Sequence, residues 1–218
     1  MNNSQIKTYE SLEIGWKLAL SEAWKSFVGG TIPIGAVILN ENDDVVSVGR
    51  NMIFEEHSDS QPLCGSSIAH AEINAIAQIN RSEHPDIRKY TLYSTTEPCI
   101  LCFGAIVMGN IRNFKYAVRD NYAGFTGYKE HSDYVKSKNI KAIGPDKTIE
   151  PVQIALQTYY ELEHNPQTAE RFCEYMAQDC FDGVAIGKHL FADKVLREMA
   201  GTDTGISEIF DFINKNRL

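Results

Sequence analysis

The order of apolar patterns predicts an α/β layer architecture: a mixed five-stranded sheet flanked by helices, followed by a helical C-terminal extension. Three observations carry this. Between residues 33 and 143, short β-branched runs alternate with stretches of helical periodicity. About twenty residues separate the fourth run from the fifth, the length of a parallel crossover and too long for a tight hairpin. Beyond Pro145 the strand signal stops, and Pro151 to Leu218 reads as three or four helices.

Taken in order, Leu12, Trp16, Leu20 and Trp24 lie four apart and predict a helix over about 7–28. Pro33 to Leu39 (PIGAVIL) is a buried strand by composition. The polar cluster Asn40 to Asp44 is its turn, and Val45 to Val48 supplies the hairpin partner. A polar stretch from Asn51 to Ser67 reads as a long loop, a class of segment that is often functional. Ser66 and Ser67 are candidate N-caps for a helix over 69–81, with Ile73, Ile76 and Ile79 turned inward. Tyr90 to Thr95 is the third strand. Pro98 suits the first turn of a helix reaching Met108. Phe114 to Val118 is the fourth strand and Asn139 to Ile143 a weaker fifth, parallel to the fourth, with helical character over 128–137 between them. Breaks near Asn165-Pro166, Asp182-Gly183 and Gly201 divide the tail.

The length of 218 residues suits one domain, or one domain with a sizeable extension: 1–150 as the core and 151–218 packed on it or capping it. The chain carries 21 Lys+Arg against 29 Asp+Glu, a formal net charge of −8. Residues 1–150 hold 15 basic and 18 acidic side chains, residues 151–218 hold 6 and 11, so the tail is the more acidic part. That balance argues against a broad phosphate-binding surface, which draws on spare Lys and Arg. Met1 to Glu10 has no apolar h-region, and no apolar run is long enough to span a bilayer. Five cysteines are an odd count and too sparse for a disulfide scaffold. A reducing cytoplasm with no membrane association is the expectation.

The chemistry concentrates in Ala69-His70-Ala71-Glu72 and in Glu97-Pro98-Cys99-Ile100-Leu101-Cys102. Cys99 and Cys102, three apart at a helix start, share one face, and the helix dipole there favours thiolates. His70 sits in the corresponding first turn of the preceding helix, one strand away. Two helices flanking one strand can bring these termini side by side, which supplies one imidazole and two thiolates for zinc. A structural zinc normally takes four protein ligands, whereas a catalytic one keeps a position open, and no fourth Cys or His stands at ligand spacing. Glu72, two residues from His70, points roughly 200° away from it around the helix and is placed to move protons rather than to ligate. Cys173 and Cys180, seven apart, read as buried small apolar groups.

H-x-E followed by P-C-x-x-C is similar to the signature of the zinc-dependent cytidine deaminase-like superfamily. PIGAVIL at 33–39, GRN at 49–51, AHAEINAI at 69–76 and TLYSTTEPCILCFGAIVMGNI at 91–111 resemble the branch that holds tRNA adenosine deaminases, guanine deaminases and fungal cytosine deaminase. The resemblance covers about residues 5–145. It implies a three-layer α/β/α cytidine deaminase-like fold, with His70, Cys99 and Cys102 holding Zn2+. It also implies that zinc-activated water attacks the amino-bearing ring carbon and that Glu72 shuttles protons as ammonia leaves. By position, Asn51 and the Ala71 backbone would contact the substrate, Ile34 would line the pocket wall, and Asp120, after strand four, would stand near the mouth. A homodimer built through the ligand-bearing helices is implied as well.

Two departures bear on the substrate. The loop between Asn51 and His70, with His57, Asp59 and Cys64, is longer than in the tRNA-editing members, and the compact members lack the tail. The reading that follows is a hydrolytic deaminase of a small aminated purine or pyrimidine, free base or nucleoside, with the acidic tail counting against nucleic acid. A tRNA adenosine deaminase is the alternative. A non-catalytic zinc-stabilised binding module is the second alternative, against which an intact Glu72 counts.

Overall fold

The computed structural model describes residues 8–216. A short 3-10 turn, Tyr9–Ser11, precedes α1 (Ile14–Val28), and the expected helical start at Lys7 lies outside the described residues. The hairpin follows as β1 (Gly35–Leu39) and β2 (Val45–Arg50). Then come α2 (Ala71–Ala77), β3 (Thr91–Thr96), α3 (Ile100–Met108), β4 (Asn113–Val118), a single helical turn α4 (Asp133–Lys136) and β5 (Lys141–Ile143). Four helices complete the chain: α5 (Glu150–His164), α6 (Ala169–Ala192), α7 (Val195–Ala200) and α8 (Ile206–Lys215). No helix among the described residues is long and apolar enough to cross a membrane.

The sheet order is β2-β1-β3-β4-β5. β1 runs antiparallel to both neighbours, while β3, β4 and β5 are mutually parallel, as the crossover length requires. β1 is buried along its whole length and serves both layers. Val37 and Leu39 face α1 and α5, whereas Ala36 and Ile38 face α2 and α3. The α/β/α layering therefore follows from the two-residue period of one central strand. α6 and α8 add a further layer outside α5, which explains why every residue from Pro151 to Tyr160 is buried.

Several boundaries differ from expectation for local reasons. Ser66 and Ser67 do not cap α2. Ala69 donates back to the Ser66 carbonyl in a turn, His70 keeps an extended backbone, and the helix begins only at Ala71, so His70 occupies the cap position. α2 also stops at Ala77, four residues short of Arg81, because Gln78 Nε2 reaches the carbonyls of Val48 (2.6 Å) and Asn74 (2.8 Å) and ties the end to β2. Pro98 precedes the third helix, whose cap is Cys99. No break occurs at Asp182-Gly183. α6 runs on past it and kinks instead at Cys180, the one residue inside it with non-helical dihedrals.

Gly183 and Gly187 allow close packing. A Cβ on Gly187 would lie 2.6 Å from Thr158 Cβ and 2.8 Å from the Ala155 carbonyl, and one on Gly183 would lie 2.9 Å from Ile154 Cβ. The two glycines, one turn apart, let α6 press against α5. Cys173 and Cys180 are buried in the same core, as their spacing indicated.

In an exposed helix Gly→Ala is stabilising by about 1 kcal/mol. Here the sign reverses: Gly187→Ala is expected to lower the unfolding free energy by about 1–3 kcal/mol through overpacking. Urea denaturation of the two proteins measures this, and an unchanged or raised midpoint contradicts the packing role.

Candidate functional site

The N-terminal ends of α2 and α3 meet over the end of β3. His70 caps α2, Cys99 caps α3 and Cys102 lies in the first turn of α3, so three soft donors converge from two helix starts. Their ligand atoms lie within 4.8 Å of one another. His70 Nδ1 is 3.6 Å from Cys99 Sγ and 3.4 Å from Cys102 Sγ. Zinc bonds of about 2.3 Å to sulfur and about 2.05 Å to nitrogen, meeting at a tetrahedral angle, place S and N about 3.6 Å apart. The donor set therefore fits zinc in both chemistry and spacing, with Nδ1 as the histidine ligand. No fourth His, Cys, Asp or Glu joins this cluster among the described residues.

The same contacts set the proton inventory of the three ligands. Cys99 is pulled down to about 4 by the Cys102 hydrogen bond, with help from His70, against the opposing effect of burial. Cys102 is pushed up by its bond to Cys99 and by burial. The Cys99 contact raises His70. Metal binding requires both cysteines as thiolates, a form these contacts favour at Cys99 and oppose at Cys102.

Glu72 stands beside the ligands and is buried. Ser94 on β3 donates to its Oε1 at 3.0 Å, and burial is the main cause that raises its carboxyl above the ordinary carboxylate range. A carboxyl raised in this way can serve as proton acceptor and then as donor. Its backbone position is fixed from below. On β2, Gly49 lies directly under α2, and a side chain there would overlap the Ala71 carbonyl and the Ala75 amide.

A cavity of about 250 Å³ opens over the cluster. Ile34 forms part of its wall and Asp120 another part. Asn51 and Ala71 do not line it. Asn51 is buried next to Ile34, where its Oδ1 accepts from Thr31 Oγ1 (2.7 Å) and from the Ile53 amide (3.2 Å). Ala71 is fully buried between two lining residues, and as the first residue of α2 it has a backbone N–H that the helix leaves free. His57, Asp59 and Cys64 are likewise absent from the wall. Asn74 instead anchors that long loop, accepting from the Leu63 amide and donating to the carbonyls of Arg50 and Leu63.

Sequence reasoning missed several contributors. Glu97, just before the cysteines, lines the cavity and accepts from Thr126 Oγ1, the Thr126 amide and the Asp120 amide, so one buried carboxylate holds the whole 119–126 loop. From the tail, Gln157 and Glu161 on α5 and Phe172 and Met176 on α6 complete the wall. The i, i+4 spacing of each pair was a readable signal, although no local feature indicated what that face meets. Four carboxylates, Glu72, Glu97, Asp120 and Glu161, line the cavity, and no Lys or Arg does so among the described residues.

Residues 10–118, half of the chain, match the family described as the cytidine and deoxycytidylate deaminase zinc-binding region. The chain is 33% identical over 113 residues to a cytosine deaminase of Candida albicans, an alignment covering 52% of this chain and 68% of that enzyme. It is 28% identical over 162 residues to a tRNA-specific adenosine deaminase of Haemophilus influenzae, covering 71% and 86% respectively. Among solved structures, a guanine deaminase from Nitrosomonas europaea aligns at a TM-score of 0.50 with 17% identity, over 73% of this chain and 90% of that one, a likeness of fold.

Gly49→Ala is expected to lift the first turn of α2 and weaken zinc binding about tenfold or more, the effect of disturbing a ligand's support. Gly127→Ala, where an added Cβ meets nothing within 4 Å, serves as the control. Zinc retained against a competing chelator measures both, and equal retention contradicts the role of Gly49.

Proposed function

The chain belongs to the cytidine and deoxycytidylate deaminase family, and from that footing we propose that it removes the amino group of a small purine or pyrimidine, free base or nucleoside, as ammonia. It is a hydrolytic deaminase with zinc as cofactor. The observation that carries the substrate reading is the cavity itself. It is small, walled on one side by the tail helices and lined by carboxylates with no cation among the described residues, so nothing in it favours a phosphate. An RNA strand brings phosphates on both sides of the reacting base. The relatives act on cytosine in one case and on tRNA adenosine in another, so kinship leaves both substrate types open.

We assign His70, Cys99 and Cys102 as the zinc ligands and Glu72 as the proton carrier. Zinc, when bound, supplies Lewis acidity and a water of lowered pKa. Glu72 takes the proton of the attacking water and passes it to the departing nitrogen, so that water and amine become carbonyl and ammonia. Ser94 holds the carboxylate in place between the two transfers. Ile34 packs against the ring, and Asp120 borders its entrance. Asn51 acts from behind, keeping the strand end that presents Ile34. Residues 1–150 serve as the deaminase core and 151–218 as a cap on its cavity. Ile100 and Met108, respectively 64% and 68% exposed on α3, give the core an apolar face suited to a homodimer.

Ammonia release by the zinc-loaded protein is tested against cytosine, guanine, adenine, their nucleosides and a tRNA anticodon stem-loop. Release from at least one base or nucleoside is expected, and release confined to the RNA overturns the reading. Glu72→Gln should retain zinc and lose turnover by about 10²–10⁴-fold; undiminished turnover removes Glu72 from the mechanism. Sedimentation should show a dimer that Met108→Lys dissociates, and a wild-type monomer contradicts that part.

A further inference from the structure

The cavity over the metal ligands has an annex. A second hollow of about 160 Å³ adjoins it, and the two share Tyr122, Glu161 and Phe172 as a common wall. Thr168, Arg171 and Tyr175 line the rest of the annex. The inner chamber alone falls below the span of about 300–1,000 Å³ typical of ligand sites.

The two chambers differ in chemistry. Apolar walls and carboxylates around the metal ligands suit a flat aminated ring. Gln157, only 4% exposed, contributes an acceptor there. Its Nε2 is held by Thr96 Oγ1 at 3.0 Å, while its Oε1 has no hydrogen-bond partner. The annex combines three aromatic rings with a carboxylate, a hydroxyl and a guanidinium. Aromatic faces pack on the C–H faces of a sugar, and the polar groups match hydroxyls that both donate and accept.

The side chains around the annex, Tyr122 and Arg171 exposed among them, contact one another. Tyr122 and Tyr175 lie with ring centroids 5.2 Å apart, and Arg171 sits 5.2 Å over the Tyr122 ring while donating to its hydroxyl at 3.2 Å. Glu161 stands at the boundary between the chambers. Asn165 Nδ2 donates to its Oε2 at 2.9 Å, and no hydrogen bond among the described residues reaches its Oε1.

We propose that the annex is a sugar subsite and that the substrate is a ribonucleoside, its base in the inner chamber and its vicinal hydroxyls donating to Glu161. This rests on the deaminase reading and narrows it. A carboxylate accepting from ribose hydroxyls is an established way of selecting that sugar. Arg171, engaged by Tyr122, frames the sugar, and no 5′-phosphate is required.

The test compares kcat/KM of the zinc-loaded full chain for cytidine, guanosine and adenosine with their 2′-deoxy counterparts, free bases and 5′-monophosphates. The preferred ribonucleoside should exceed its free base and its deoxy form by about tenfold or more, the effect of one hydrogen bond to a charged group. Glu161→Leu should collapse the ribo-to-deoxy ratio toward one, chiefly through KM, and Thr168→Val should reduce it partly. A free base turned over as well as its nucleoside overturns the subsite, as does a ratio unmoved in Glu161→Leu or a tenfold preference for the monophosphate. Calorimetric binding of uridine, xanthosine and inosine, against uracil, xanthine and hypoxanthine, reads the same subsite without turnover. Absence of ammonia release from every compound, with ribonucleoside binding that Glu161→Leu weakens, overturns the deaminase reading and leaves the subsite standing. Bases bound as tightly as nucleosides do the reverse.

Discussion

Two helices rest on the hairpin at distances that only a missing side chain permits. Gly35 lies under α1, where a Cβ would overlap the Ala19 carbonyl and the Ala23 amide, and Gly49 lies under α2 in the same way. Gly49 pairs with Ala36, the neighbour of Gly35, so the pleat turns the two glycines to opposite faces. The sheet is thereby gripped from both sides near one place. On the α2 side this contact fixes the height of the helix start, and that height decides whether His70 and Glu72 reach the cysteines of α3. Ligand spacing within a few tenths of an ångström of tetrahedral zinc depends on backbone packing before it depends on the ligands.

Much of this was legible in the sequence, for a physical reason. The β-branched run at 35–39 and the strands at 91–96 and 113–118 carry their own periodicity, and crossover length gave the direction of the last strand. The metal ligands were legible because each sits in a short motif at a helix start, where local geometry already orients it. Helix boundaries were less so. α2 begins two residues late, since the turn at Ser66–Ala69 precedes it, and it ends early because Gln78 finds partners on β2. At Asn51 the motif gave the position but not the partner, since Thr31, twenty residues away, holds its side-chain oxygen.

The tail was legible as helices and opaque as a wall. Gln157 and Glu161 lie on a helix of ordinary composition, and their meeting with Cys99 across some sixty residues of chain is purely tertiary. Glu97 was hidden differently. It sits within the quoted motif, but its work is done on a loop that closes afterwards, through Thr126 and the Asp120 amide. A buried carboxylate holding two backbone donors and a hydroxyl is a structural device that sequence presents only as one more acidic residue.

α5 has two occupations at once. Its apolar face, with Ile154, Leu156, Tyr159 and Tyr160, is the middle of the core, while Gln157 and Glu161 look into the cavity. His70, Glu72, Cys99 and Cys102 thus precede residue 103 while Gln157, Glu161, Phe172 and Met176 come from the tail, and the two parts meet where α5 docks on the sheet and where α6 contacts Asn121 and Tyr122. Evolution can revise the second set without touching the first. Exchanges at the cavity-facing positions of α5 and α6 alter what is admitted, whereas the reaction, encoded before residue 103, stays as it is. A chain arranged in this way is a ready source of new specificities from one unchanged chemistry.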